Sequence, residues 1–524
     1  MKNKTTSVFL NTITNYARYF IHIGVIVVIL PYIVHKLGKE AYGLWGLVLS
    51  TVGFFGFLDM GFSTAVVKYV AQYSGNDDRE KLTEFSSTLQ FLYWAIALVV
   101  ALATTALAYK FTSLVQLPVK LAEASFWVVL SLGLRSAFNF PFSFYRGVLI
   151  GYQKMYFVNI VKISELLSNG ILTFFILNQG YGLREMALTT LFVSLSHYAF
   201  IMFYSTSKYA HVKFCYANFK FSLLKEVSSF GIFAFAINIS VMLLTRTDIL
   251  VVKYLLPLSA VAIYTIGLKL SDYTIGFSKQ FVNALTPLVA RLNGAKNKEA
   301  LERVFLKGTK FSLLISQPIV LGLTWYSPII IYSWLGTGFE EAVVVSRILL
   351  LTSLLTLMQA SGSNVLAMTG KERLIAATTF TTALLNIFFS LLLGYYMGLP
   401  GIALATLVCA LSIDVMIVIP RTLAHLSLSS KTYLKKAIQP VLPGTTTLLA
   451  ILFLFKTLAP SSTLIGAVLR GGFAFSIYLP VCWFTALTKS EQENYKGKLS
   501  KLFQKIMSKL RSNNEKVSLC PKET

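Results

Sequence analysis

Residues 260–287 read AVAIYTIGLKLSDYTIGFSKQFVNALTP, a run long enough to cross a bilayer that nevertheless carries Lys269, Asp272 and Lys279. A span needs about 20 mostly apolar residues. Each ionisable residue near its centre costs about 2.5–3.5 kcal/mol on insertion scales, so these three cost roughly 8–10 kcal/mol. About fifteen apolar neighbours return only about 5–9 kcal/mol. Alone in lipid, this helix is marginal at best. At about 100° per residue, Lys269, Asp272, Gly276 and Lys279 fall within one arc of about 80°. That arc can face a water-filled interior while the remainder faces lipid or packed helices. The plainer alternative is a Lys269–Asp272 ion pair, with Lys279 reaching back to the membrane edge.

Apolar runs recur from one end of the 524 residues to the other. The spacing predicts an all-α polytopic membrane protein of about fourteen spans, beginning with Ala17–Val34 and Tyr42–Val70 and ending with Ala437–Leu458 and Ser462–Ala486. The first span follows lysines, as a signal peptide does, but it is too long and lacks a small-residue cleavage site, so it is read as retained. Hydrophobic residues make up 55% of the chain and charged residues 13%, against about 25% charged in soluble proteins.

The net charge of +25 would suit a nucleic-acid binder, but its distribution argues against one. Lysines and arginines sit mainly in alternate short connectors: about 34 on one side of the membrane and about 7 on the other. The positive-inside rule then places both termini in the cytoplasm of a cell whose inner membrane holds the chain. Every connector is short, which leaves no extramembrane domain for a soluble active site and argues against an enzyme. Cys215, Cys409, Cys482 and Cys520 lie far apart, and the five histidines form no paired motif, so neither a metal nor a cofactor is expected. The tail segment KGKLSKLFQKIMSKLR, residues 496–511, has a basic amphipathic pattern suited to membrane lipids.

Other spans repeat the polar-stripe pattern. Asn11, Asn15, Arg18 and His22 are spaced by four, three and four. Arg135 lies deep in the fourth span, Arg246 in the seventh with Asp248 beside it, and Asp59 ends the apolar part of the second. The expected interior charges are thus Arg18, Arg135, Arg246, Lys269 and Lys279 against Asp248 and Asp272. A surplus of guanidinium and ammonium groups suits an anion, and a pyrophosphate is the obvious membrane-borne one. An internal repeat is also visible: VAQYSGNDDREKL from Val70 is echoed by VARLNGAKNKEAL from Val289. Upstream, Tyr42 pairs with Tyr264 at an offset differing by three residues, which requires an insertion. Repeats of this kind suit transporters that place substrate between two similar lobes.

The run LGKEAYGLWGLVLSTVGFFGFLDMGFSTAVVKYVAQYSGNDD, residues 37–78, resembles the opening helices of the polysaccharide-biosynthesis (Wzx-type) flippases. TRTDILVVKYLLPLSAVAIYTIGLKL, residues 245–270, resembles their passage from seventh to eighth helix. They belong to the multidrug/oligosaccharidyl-lipid/polysaccharide exporter superfamily. The resemblance implies an N-lobe over residues 1–213, a C-lobe over 214–430, two further helices over 431–488 and a basic tail over 489–524. It also implies flipping of a polyprenyl-pyrophosphate-linked oligosaccharide to the outer leaflet of a bacterial inner membrane by alternating access, for surface polysaccharides such as O-antigen. Other polysaccharide assembly proteins are the expected partners. Arg18, Arg135, Arg246, Lys269 and Lys279 are the candidate substrate ligands. Asp248, Asp272 and Asp59 are the candidates for coupling to a proton or sodium ion. The rival readings are a small-molecule or cation antiporter of the same superfamily and a membrane oligosaccharide polymerase or glycosyltransferase.

Overall fold

The computed structural model describes residues 2–209, 212, 218–223, 232–458, 463–493 and 495–497. Nearly all of the amphipathic tail segment expected at 496–511 lies outside these residues, as do Cys215 and Cys520. The described elements are all helical: α1 Lys2–Gly53, α2 Phe62–Gly75, α3 Arg79–Val115, α4 Val119–Gly151, α5 Met155–Asn178, α6 Leu183–Lys208 and α7 Ile232–Leu255. Then follow α8 Leu258–Gly294, α9 Lys298–Leu335, α10 Glu340–Met368, α11 Glu372–Met397, α12 Leu399–Leu426, α13 Ser430–Leu458 and α14 Leu464–Thr485. No strand occurs among the described residues.

Eleven of these helices are long and apolar enough to cross a membrane on their own composition, against the fourteen spans expected. One of the eleven, Leu10–Asp59, runs 50 residues. A straight helix of that length would reach about 75 Å, more than twice the hydrocarbon thickness. It folds at Gly38 (φ 84°, ψ 169°), so the connector expected between the first two spans is a kink within α1. The second expected span, Tyr42–Val70, is also interrupted. A 3₁₀ turn at Phe54–Asp59 and left-handed Met60 and Gly61 separate α1 from α2. α7 and α8 lie outside the eleven, and α8 is the helix that carries Lys269, Asp272 and Lys279.

The repeat seen in the sequence corresponds to one turn built twice. Asp77 and Lys296 both adopt φ 53°. Asp78 and Asn297 then cap α3 and α9, accepting from the Lys81 and Ala300 amides at 3.2 and 3.0 Å. A side-chain acceptor there satisfies one of the amides that the first helical turn leaves open. The break at Phe54–Gly61, with no counterpart in α8, falls within the stretch holding the three additional residues.

α1–α6 pack around one another, as do α7–α12. The two sets meet at the end where the connectors carry few basic residues. There Leu44, Leu47 and Val48 share a core with Val261, Tyr264 and Leu399. Gly43 and Gly46 bring α1 onto α8, and a Cβ at Gly43 would lie 2.2 Å from the Leu258 carbonyl oxygen. Small residues at a helix crossing permit this approach. Lys39 adds a hydrogen bond to the Gly338 carbonyl. At the basic end the cores are separate, one around Val66, Phe85 and Phe144 and the other around Phe305, Val365 and Leu423. The interface is a wedge, closed at one end.

α13 and α14 lie against α9, where the Tyr478 hydroxyl donates to the Leu314 carbonyl at 2.9 Å and Thr445 to Gln317 at 2.7 Å. Beyond α14, Glu491 accepts from Lys310 at 2.7 Å and from Lys307 at 2.9 Å. Burial works to raise the Glu491 carboxyl, but the hydrogen bonds from Lys310 and Lys307 prevail and hold it at about 2. A carboxyl held low stabilises the fold above its ordinary value of about 4.3 and loses that contribution as the pH falls toward 2.

Two outcomes follow for the purified protein. Gly43→Ala should lower stability by about 1–3 kcal/mol, read as a thermal midpoint, because backbone blocks the added methyl. Gly24→Ala, with nothing within 4 Å, should not. Glu491→Gln strands Lys310, which is only 4% exposed. It should lower the midpoint at pH 7, with a cost on the order of 3–5 kcal/mol for a buried charge left alone, and should flatten the acid limb of stability below about pH 4.

Candidate functional site

A cavity of about 1160 Å³ fills the wedge, lined from α1, α4–α8 and α10–α12. Pockets for drug-sized ligands run about 300–1,000 Å³, so this one suits a larger cargo. Arg135, Arg246, Lys269 and Lys279 line it, joined by His22. Asp248, Asp272 and Asp414 contribute carboxylates.

Arg135 on α4 is braced by two neighbouring helices. Its Nε donates to Ser194 Oγ of α6 at 2.7 Å, and its terminal nitrogen lies 3.6 Å from Glu165 Oε1 of α5. Ser194 Oγ donates to the same Glu165 oxygen at 2.8 Å. Arg246 projects from α7 toward α1 and packs over Gly53, where a Cβ would lie 3.1 Å from its Nε. Lys269, Asp272 and Lys279 lie on α8 with no salt bridge to any described residue. The Lys269–Asp272 ion pair considered from sequence is not formed. Cations left unpaired at a water-filled surface stay available to an anion.

Asp248 is buried where α7, α8, α11 and α12 meet. It accepts from the Tyr264 hydroxyl at 2.8 Å, Ser390 Oγ at 3.2 Å and Thr406 Oγ1 at 3.2 Å. Asn386 donates to the same Thr406 hydroxyl at 3.2 Å, and its own Oδ1 has no partner. Such a carboxylate, ringed by neutral donors and buried, is costly to leave without a counter-ion.

Two expected site residues are elsewhere. Arg18 stands one turn from His22 but off the cavity wall, half-buried, with one terminal nitrogen donating to Asn15 Oδ1 at 3.0 Å and its Nε unpartnered. Asp59 is off the wall too, because the break after α1 turns it inward, where it accepts from Ser63 Oγ at 2.8 Å and Tyr93 at 3.0 Å.

Sequence reasoning passed over Asp414, Glu165, Lys162 and Arg146. Asp414 sits in a π-helical stretch, Ala410–Val418, within a span of mean hydropathy 2.6. A lone carboxylate in so apolar a helix was the available signal. On α5, Asn159, Lys162, Glu165 and Asn169 recur at spacings of three, three and four, a polar stripe like that of α8. Arg146 lies inside the first half, bonded to Asn139 Oδ1 at 2.7 Å and over the Tyr198 ring at 5.5 Å. The expected balance of five cations to two carboxylates is therefore four to three on the wall, counting Lys and Arg against Asp.

The model of the family described as "Polysaccharide biosynthesis protein" matches residues 8–293, more than half of the chain. The chain belongs to this polysaccharide biosynthesis family. The MatE family model also matches residues 234–392. The chain is 22% identical over 345 residues to a Shigella flexneri protein named "Putative O-antigen transporter", covering 64% of this chain and 78% of the relative. Among solved structures, lipid II flippase MurJ in an inward closed conformation superposes with a TM-score of 0.67 at 16% identity, over 91% of this chain and 99% of that one. An inward-facing multidrug resistance MATE family transporter of the MOP superfamily gives 0.68 at 17% identity, over 79% and 96%. At those identities the likeness speaks for the fold. The protein is thus a multi-pass membrane protein of the polysaccharide biosynthesis family with the fold of those transporters.

The wedge geometry is checked by thiol labelling in a background without native cysteines. Arg246→Cys, Lys269→Cys and Lys279→Cys should react with a membrane-impermeant thiosulfonate supplied from the basic end. Asp59→Cys should react more slowly by about tenfold or more, as expected for a packed side chain.

Proposed function

We propose that the protein flips a polyprenyl-pyrophosphate-linked oligosaccharide from the cytoplasmic to the outer leaflet of a bacterial inner membrane, supplying cell-surface polysaccharide synthesis. Supporting this most directly are Arg246, Lys269 and Lys279, which line a membrane cavity without salt-bridge partners among the described residues. Guanidinium and ammonium groups held away from carboxylates recognise phosphate oxygens strongly. The family match and the O-antigen transporter relative support the saccharide part of the cargo.

In this reading both termini are cytoplasmic, the wedge opens inward, and the pyrophosphate docks on the basic wall while the polyprenyl tail stays in the bilayer. Residues 1–213 and 214–430 then rock as two lobes about the closed end. The step is a translocation with no covalent chemistry. An inside-negative potential assists it, since moving two negative charges outward is downhill by roughly 4.6 kcal/mol per 100 mV. Asp248 is the group suited to a coupling proton or sodium ion. Asp272 faces the cavity and serves the cargo, and Asp59 stays structural. Other polysaccharide assembly proteins receive the product. A cation antiporter would call for the opposite balance on the wall.

The test is complementation of a deletion strain, with undecaprenyl-linked glycan measured on both leaflets. Arg246→Glu and Lys269→Glu should each lower export about 30-fold or more, as the loss of a desolvated charge contact costs on the order of 2–5 kcal/mol. Arg246→Lys should retain part of the activity. Export that survives neutralising all the lining Arg and Lys residues contradicts the proposal. Asp248→Asn should abolish any response of flux to an imposed proton or sodium gradient.

A further inference from the structure

We infer that the wall formed by α8, α10 and α11 near the basic end is a saccharide-binding face, engaging the sugar residues next to the pyrophosphate. This rests on the functional reading above and assigns a separate place to the uncharged part of the cargo.

The polar stripe of α8 does not stop at Lys279. It continues as Asn283 and Thr286, spaced by four and three, and both line the cavity. Across from them α10 contributes Gln359, Ser363 and Asn364, and α11 contributes Thr379 and Thr382. None of these side chains is charged, and electrostatic capture of phosphate requires none of them.

Their hydrogen-bond accounting is specific. Asn364 gives both amide hydrogens to its own surroundings, to the Val282 carbonyl at 3.1 Å and Thr286 Oγ1 at 2.8 Å. Its Oδ1 is buried without a donor, so the open groups of the wall are those of Gln359 and Asn283. Ser363 Oγ donates to Gln359 Oε1, so the Gln359 carbonyl is engaged while its NH₂ has no partner among the described residues. Asn283 is exposed on the cavity wall, and neither function of its amide bonds to another described residue. The wall therefore presents free donors and free acceptors side by side.

That mixture distinguishes ligand classes. Phosphate oxygens accept only, and an alkylammonium donates only, whereas every ring hydroxyl does both. A site for phosphate alone would be built from donors, of the kind Arg246, Lys269 and Lys279 supply. Facing the first half, Val25, Ile26, Ile29 and Ile33 of α1 and Leu166 of α5 form an apolar strip of the wall. A sugar placed there would lose hydrogen bonds to water without replacement, which is costly. The amide-rich wall is where its hydroxyls are matched.

Full-length protein in nanodiscs is titrated with two probes, undecaprenyl pyrophosphate and undecaprenyl-pyrophosphoryl-N-acetylglucosamine, and Kd is measured for each. The wild type should bind the sugar-bearing probe about tenfold tighter or more, as unpaired polar groups in a site penalise the ligand lacking hydroxyls. Asn283→Leu combined with Gln359→Leu should erase that preference while leaving sugar-free binding within about twofold, which also reports on folding. Arg246→Ala should weaken both probes together. Equal wild-type affinities, or a double variant that loses both probes in parallel, overturn the saccharide face. Wild-type binding of neither probe overturns the functional reading as well.

Discussion

Charge inside a membrane is the constraint from which the rest of this structure follows. A helix carrying Lys269, Asp272 and Lys279 cannot stand alone in hydrocarbon, where each charge costs several times what an apolar residue returns. It persists because its polar arc faces a chamber that neighbouring helices wall off from lipid. α4, α7 and α12 each contribute a similar offending group, Arg135, Arg246 and Asp414, and all of them face the same space. The cavity is thus as much a requirement of folding as a provision for transport.

The closed end of the wedge has the opposite chemistry. Gly43 brings backbone against backbone, Gly46 makes room for the Thr265 side chain, and Leu44, Leu47, Val261 and Leu399 exclude water from the contact. The two basic-end cores, around Phe144 and around Phe305, do not merge. A molecule tightly joined at one end and divided at the other has an obvious motion, in which one set of contacts is exchanged for another. Part of the seam is already bridged lower down, where the Tyr19 hydroxyl donates to the Tyr273 carbonyl at 2.6 Å and packs over Gly276. In the proposed transport cycle, opening outward would break the glycine crossing and close the basic end, with the α8 stripe between the two halves.

Much of this was legible in the residues themselves. Apolar runs with polar stripes at helical spacing gave the helices, and the spacing of Lys269, Asp272 and Lys279 identified the face of α8 that lines the cavity. The repeat at Val70 and Val289 marked two turns that share the same φ at Asp77 and Lys296. What escaped did so for local reasons. The polar connector expected at HKLGKEA, residues 35–41, is a kink at Gly38 instead of a loop, because a single glycine can turn the helix. Arg18 and Asp59 carry the right charge on plausible faces, but depth and rotation decide whether a side chain reaches the chamber, and the break at Phe54–Asp59 turns Asp59 away. Asp414 was obscured by the strongly apolar span around it, and its π-helical setting has no sequence signature. Glu165 had such a signature in the α5 stripe, where carboxylate and lysine three residues apart cancel in any count of net charge.

The measurement that bears most directly on the cationic chamber is a cryo-electron microscopy map of the full-length protein in nanodiscs with undecaprenyl pyrophosphate added. Pyrophosphate density within hydrogen-bond reach of Arg246 or the α8 lysines, between the two sets of helices, is the expected result. Density confined to the lipid-facing surface or the aqueous margins, with those side chains turned away from it, would contradict the mechanism.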